Sequence, residues 1–283
     1  MEQAVPATNW TSYDSVAGIY EDVAVPWFTP IARDLVRLVA PGEGARVLDV
    51  GTGTGLVLRA LLTTAASRLV VGIDPSAAML ARARATPGGR VVTSMAPGLP
   101  FAADAFDVVF ANLVISHVPD LTEGLSDMAR VLRRGGRLGG TAWALAAGKR
   151  DDNQQAEADG VVDAVVRACR IDAKPPVRVA PWEEQLRQPG CIDASFRQAG
   201  LEQITARVRT YGWTFTIEDF LAGWGSQARY MRHVAGENRW QEFCDRATAA
   251  LHQRFGATIR SVSHVWIAAS SDEGSTGVVN AAP

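Results

Sequence analysis

The chain has 283 residues, 20 % of them charged, and a formal net charge of −2, which is long enough for one sizeable α/β domain with an insertion and offers no basic footprint for nucleic acid. No apolar run reaches membrane-spanning length, and residues 1–6 are acidic and proline-broken rather than basic and then apolar, so a cytoplasmic, unexported protein is expected. Cys169, Cys191 and Cys244 are odd in number and far apart, and His117, His233, His252 and His264 lie in separate segments, so reduced thiols and no metal are expected.

Residues 1–9 are expected to fray, and residues 10–40 read as helices. Tyr13, Val16, Ile19 and Tyr20 recur at helical spacing, Pro26 breaks the run, and Ile31, Leu35, Val36, Leu38 and Val39 resume it after Pro30. Pro41-Gly42-Glu43-Gly44 then turns the chain into a strand whose Val47, Leu48 and Val50 suit burial on both faces. Gly51, Gly53 and Gly55 follow, and Leu56, Leu58, Leu61 and Leu62 resume helical spacing. The glycines therefore occupy a strand-to-helix turn, where backbone can approach a ligand and helix amides point at it. A dinucleotide fingerprint requires glycine or alanine where Leu56 stands, so the spacing is G-x-G-x-G instead. A second buried-strand pattern ends in Asp74, a carboxylate placed to accept from ribose hydroxyls under either nucleotide reading.

Residues 76–85 form a helix with Met79 and Leu80 on its packed face, and residues 90–93 and 106–111 form the third and fourth strands. In an open parallel sheet ligands bind beyond the carboxyl ends of the strands, so the first and fourth strands flank the cleft. His117 lies just past it and can serve either as a structural cap or in chemistry. A helix over 121–132 leads to a turn, Arg133-Arg134-Gly135-Gly136, with both arginines facing solvent, and to a fifth strand over 137–143. Residues 144–180 hold a helix near 156–169 and a Pro175-Pro176 break, a length that suits a lid. A helix closed by Gly200, a strand over 204–211 and a Thr216–Asp219 capping pair come next. Residues 217–255 read as helical, rich in Phe220, Trp224, Tyr230, Met231, Trp240 and Phe243, a stripe that serves as core or as ligand box. Residues 258–269 alternate as the last strand, and the polar tail is expected to be mobile.

Five ordered motifs carry a resemblance: Val47-Leu48-Asp49-Val50-Gly51-Thr52-Gly53-Thr54-Gly55; Gly72-Ile73-Asp74-Pro75-Ser76 with Met79-Leu80; Leu99-Pro100-Phe101; Phe106-Asp107-Val108-Val109; and Leu132-Arg133-Arg134-Gly135-Gly136-Arg137-Leu138. Together they resemble class I S-adenosylmethionine-dependent methyltransferases, most closely the small-molecule branch of quinone and natural-product biosynthesis, over roughly residues 10–145. The resemblance implies an α/β, Rossmann-like methyltransferase fold, a mostly parallel seven-stranded sheet with helices on both faces and a helical lid. Its expected layout is an N-terminal helical cap (1–40), a cofactor-binding core (41–145), a lid insertion (146–185), the remainder of the core with a helical substrate cap (186–270) and a flexible tail (271–283).

By the same resemblance the cofactor is S-adenosyl-L-methionine and its product S-adenosyl-L-homocysteine. Asp49 would position the amino end, Gly51, Gly53 and Gly55 make room for the methionine and ribose portions, and Asp74 bind the ribose, with Pro75, Met79, Met95, Ala96 and Asn112 completing the site. The family's usual adenine-binding carboxylate is replaced here by Met95, which can cover the ring but accepts no strong hydrogen bond, leaving backbone groups of Met95 and Ala96 to do part of that work. Tyr13 and Tyr20, core residues on spacing alone, would fold over cofactor and substrate, and Trp224, Tyr230 and His233 would roof an apolar acceptor. His117-Val118-Pro119-Asp120 resembles a His-x-Pro-Asp motif whose histidine is a general base in some members, a role needed only when the acceptor must lose a proton. The expected reaction is in-line methyl transfer to a small, apolar or aromatic, natural-product-like acceptor, with O- or C-methylation favoured. The alternatives are a methyltransferase-fold cyclase that uses bound S-adenosylmethionine structurally, a non-catalytic cofactor-binding module and, disfavoured by the glycine spacing, a nicotinamide dehydrogenase. The expected partners are a small-molecule acceptor and no nucleic acid or membrane, with a homodimer allowed.

Overall fold

Val47, Leu48 and Val50 are buried, which makes β1 (Arg46–Val50) a central strand covered on both faces. The computed structural model describes residues 11–14, 17–21, 25–62, 69–145, 153–171, 180–223 and 231–270. Around β1 it assembles β2 (Leu69–Asp74), β3 (Gly89–Thr93), β4 (Phe106–Asn112), β5 (Leu132–Ala144), β6 (Ile204–Thr216) and β7 (Thr258–Ser270). The order is β3-β2-β1-β4-β5-β7-β6; the first five strands are parallel, and β7 runs antiparallel to both neighbours. The mostly parallel, seven-stranded Rossmann-like sheet is therefore as expected. Because the crossovers leave β1 and β4 in opposite directions, their carboxyl ends border the natural crevice.

Helices cover both faces. The helical turns α1 (Thr11–Asp14) and α2 (Ala17–Ile19) lead to α3 (Val25–Val39), which packs with α4 (Leu56–Leu62) on one face through Ile31, Leu35, Val57 and Leu61. Pro26 falls in the first turn of α3, where the missing N–H costs nothing, so the helix runs on through it instead of breaking. After α5 (Ala77–Ala83), capped by Ser76, come α6 (Leu121–Arg130), α7 (Gln155–Ala168), α8 (Glu183–Arg187) and α9 (Cys191–Gln198). Leu125, Met128, Leu186, Ile192 and Phe196 of α6, α8 and α9 fill the other face. Two more helices, α10 (Ile217–Ala222) and α11 (Glu237–Phe255), precede β7.

β6 and β7 stay paired as far as Thr216 and Thr258, whereas β5 stops at Ala144 opposite His264. Since β6 runs with β5, the overhang projects past the carboxyl end of the sheet. There α7, α10 and α11 bury Val162, Phe215, Phe220, Phe243, Leu251 and Ile259 in a separate cluster.

Four local expectations change. β6 continues five residues beyond Tyr211, to Thr216, because it carries this cap. The expected turn at residues 133–136 is a bulge inside β5, between the pairs Phe106↔Leu132 and Val108↔Arg137, with Gly135 at φ +75°. The expected continuous helix over 217–255 is interrupted at Gly236, whose φ of +77° no helical L-residue adopts. The expected lid, 146–185, is divided, since α7 joins the cap while Trp182 packs against the main core. Residues 1–10, 146–152, 172–179 and the tail 271–283 lie outside the described residues, and among those described no helix is long and apolar enough to cross a membrane.

Candidate active site

The loop between β1 and α4 is folded by Thr52 N–H donating to Ile73 O at 2.8 Å and Gly55 N–H to Thr52 O at 2.9 Å. Gly51, Gly53 and Gly55 all have positive φ, but their surroundings differ. A Cβ on Gly51 would lie 2.3 Å from Val114 Cγ2, and one on Gly55 would meet Thr86 and Ala83 at 3.2–3.5 Å. At Gly53 it would meet no described residue within 4 Å. A Cβ is thus blocked by the protein's own packing at Gly51 and Gly55, and by no described residue at Gly53.

Asp74, at the end of β2, accepts from Gly53 N–H at 2.9 Å and from Ser76 N–H at 2.8 Å, one on each oxygen. Burial raises its pKa, those two N–H groups oppose the shift, and the charge of Asp14 adds to it. Asp49 is 1 % exposed, and among the described residues neither of its carboxylate oxygens has a partner at hydrogen-bond geometry, although the Thr52 hydroxyl lies close enough to favour its charged form. Burial pushes its carboxyl up to about 7, with the nearby Thr52 hydroxyl opposing and Asp74 adding to the shift. A buried carboxylate so placed favours a cation as neighbour.

The loop after β3 is held from α6. Ala96 is buried and Met95 half-buried, and Asp127 of α6 secures the loop by accepting from Gly98 N–H at 2.6 Å and Leu99 N–H at 2.8 Å. Arg130 adds bonds to Leu99 O and Phe101 O. Pro75 is half-buried and Met79 buried at the start of α5, and Asn112 Oδ1 accepts from the Thr141 hydroxyl at 2.9 Å at the end of β4.

His117 closes a short 3-10 turn, Ile115–His117, directly beyond β4. Trp182 holds this turn, its N–H donating to Ser116 O and its indole to Val118 O. From His117 a run of aromatic rings leads across the carboxyl end of the sheet. Tyr13 stands 6.1 Å away at 82°, Tyr20 lies 6.5 Å from Tyr13, Phe28 6.0 Å from Tyr20 and Trp143 5.9 Å from Phe28. The structure thus brings Tyr13, Tyr20 and His117 together. His233 is exposed on residues 231–235, and Trp224 and Tyr230 lie outside the described residues. Phe220, Met231 and Phe243 are buried in the cap's own core, so these members of the stripe pack rather than line a cleft. Arg133 and Arg134 are exposed, as expected, and Arg133 also pairs with Asp107 at 2.6 Å.

A family model described as "Methyltransferase domain" matches residues 48–139. Over 232 residues the chain is 30 % identical to Nocamycin O-methyltransferase of Saccharothrix syringae, an alignment covering 75 % of this chain and 79 % of that one. The chain is an S-adenosylmethionine-dependent methyltransferase. It is also 42 % identical over 113 residues to the Ubiquinone/menaquinone biosynthesis C-methyltransferase UbiE of Geobacter sulfurreducens, covering 37 % of this chain and 44 % of that protein. The crystal structure of the [4+2]-cyclase SpnF shares the fold, with a TM-score of 0.54 at 17 % identity over 93 % of this chain and 94 % of that one.

In this methyltransferase the matched segment contains the glycine loop, Asp74, Met95 and His117, whereas Tyr13 and Trp182 lie outside it. Ser76 could have been found as an N-cap ahead of an Ala-rich helix. Asp14, Thr141 and Trp182 left no local signal, since each acts on residues at least 28 positions away.

Proposed function

We propose that this methyltransferase transfers the methyl group of S-adenosyl-L-methionine to a small, apolar or aromatic acceptor, by O- or C-methylation, with Asp49, Gly53 and Asp74 holding the cofactor and His117 receiving the acceptor's proton. One observation carries the reading. At the carboxyl end of β1, Gly53 opens onto free space beside a buried, unpartnered Asp49 and an Asp74 whose oxygens each spend one lone pair on a backbone N–H. The donor set fits the group: an unpartnered buried carboxylate suits an ammonium, and two carboxylate oxygens with spare acceptor capacity suit a pair of ribose hydroxyls. Met95 and Ala96, with Pro75, Met79 and Asn112, would border the remainder. When bound, the cofactor supplies an activated methyl on a sulfonium, whose departure requires no acid.

The chain's own residues would align the acceptor, keep water out and take a proton. Alignment and exclusion of water are large effects in such displacements. An imidazole such as that of His117 can take the proton of an acceptor that is a phenol, alcohol or enol. The run Tyr13, Tyr20, Phe28 and Trp143 beside it supports a flat, apolar acceptor. The relatives' names support both outcomes, one being an O-methyltransferase and the other a C-methyltransferase.

The test is calorimetric titration with S-adenosylmethionine, S-adenosylhomocysteine and NAD, followed by incubation of methyl-labelled S-adenosylmethionine with phenolic and enolic acceptors. Binding of the two adenosyl compounds but not NAD, label in the acceptor, equimolar S-adenosylhomocysteine, and loss of turnover in His117→Ala with cofactor affinity intact are expected. An acceptor converted without label would replace this reading with cyclisation.

A further inference from the structure

Tyr13 and Tyr20, and next to them Asp14 and Glu21, recur at an interval of seven, close to two helical turns. The carboxylates face the glycine loop's surroundings. Asp14 Oδ1 accepts from the Ser76 hydroxyl at 2.5 Å and from Ala78 N–H at 3.3 Å, at the exit from β2 beside Asp74. Glu21 lies 3.4 Å from Arg59, whose guanidinium also donates to Thr54 O in the loop. The tyrosines face the other half-site, Tyr13 meeting His117 and Tyr20 meeting Phe28.

A helical turn of four residues has no stability of its own in water, so the place of α1 is set by what it docks against. Asp14 supplies that docking, and Tyr13 is its neighbour. We propose that Asp14 is a positioning residue for methyl transfer: its bonds to Ser76 and Ala78 fix α1 so that the ring of Tyr13 stands edge-on against His117. One residue pair thereby links the cofactor side, at the end of β2, to the acceptor side, beyond β4. The proposal rests on the reading of these two places as halves of one methyl-transfer site. Asparagine at position 14 keeps an acceptor oxygen for Ser76 and removes the repulsion of Asp74, so it should preserve the arrangement, whereas alanine should not.

The experiment needs no acceptor. Histidine labelled with 13C at Cε1 gives four ring signals, and the one lost in His117→Asn belongs to His117. With S-adenosylhomocysteine as probe, Tyr13→Leu and Asp14→Ala should move the His117 signal in the same direction, with no further change in the double variant. Asp14→Asn should restore it, and the signals of His233, His252 and His264 should stay put. Dissociation of S-adenosylhomocysteine should be about fivefold faster in Asp14→Ala, the equivalent of one lost hydrogen bond. An unmoved His117 signal in Asp14→Ala, with binding retained, overturns this proposal alone. Absence of S-adenosylhomocysteine binding by the unsubstituted chain overturns the cofactor reading and this proposal with it.

Discussion

The indole Nε1 of Trp182 donates to the carbonyl of Val118 at 2.9 Å, while the backbone N–H of the same tryptophan donates to Ser116 O at 3.3 Å, so one residue grips the chain on both sides of His117. Trp182→Phe keeps the backbone bond and removes the indole donor, leaving the Val118 carbonyl unpaired next to a buried side chain. The expected cost is about 1–3 kcal/mol of stability, with affinity for S-adenosylhomocysteine unchanged because the cofactor loop is untouched. Urea denaturation beside calorimetric titration measures both, and an unaltered midpoint would show that the indole bond is not what holds the turn.

That contact explains why only part of the site was legible. The glycine loop, Asp74 and His117 are local: a short apolar run, a turn and a spacing reveal them. Trp182, Asp14 and Thr141 act across 64, 62 and 29 positions, and no periodicity reports a contact that only the folded sheet creates. The fold was legible for the same reason, since each strand and helix announces itself within about ten residues. What misled was continuity. The helical pattern over 217–255 hides a change of direction at Gly236, and the aromatic stripe serves the cap's own core as readily as a cleft. Likewise, three glycines with one signature have two different physical reasons.

Those reasons separate experimentally. In Gly51→Ala the new methyl meets Val114 at 2.3 Å in a residue with φ of +67°, so overpacking and left-handed strain together should cost roughly 2–5 kcal/mol. In Gly53→Ala the methyl enters open space at φ +56°, and only the strain of about 1–2 kcal/mol remains. Affinity should behave in the opposite sense, with Gly53→Ala losing S-adenosylhomocysteine binding by tenfold or so while staying folded. Equal losses of stability in the two variants would contradict this division.

Asp74 shapes the loop and, on the proposed reading, also faces the ligand. Asp74→Ala deprives the N–H groups of Gly53 and Ser76 of their acceptor and removes the partner expected for the ribose, so affinity for S-adenosylhomocysteine should fall by about 1.5–3 kcal/mol, roughly ten- to a hundredfold. Asp74→Asn retains one acceptor oxygen and should fall between. Because burial raises the pKa of Asp74, affinity should begin to decline above the ordinary carboxylate range as the solution is acidified. Calorimetry across acidic pH tests this, and a pH-independent affinity equal in all three proteins would remove Asp74 from the binding site.

Asp49 gives the sharpest pH dependence. Its carboxyl is pushed up from 3.8 to about 7 by burial, so between these values the folded chain holds a proton that the unfolded chain has released. Stability must then fall as pH rises from about 4 to about 7 and level off above, by an amount on the order of 4 kcal/mol at most for this group alone. Asp49→Asn removes the titration while keeping the shape. The variant should lack that part of the slope and be the more stable protein at pH 8, where the unsubstituted chain carries an unpartnered buried charge. The same substitution should weaken binding of S-adenosylmethionine, whose ammonium would lose its counter-charge, so stability and affinity should move in opposite directions. Urea unfolding of both proteins from pH 4 to 8, with and without the cofactor, decides the matter: parallel pH profiles would mean that Asp49 does not titrate in this range, and unchanged affinity would mean that its charge is not there for the ligand.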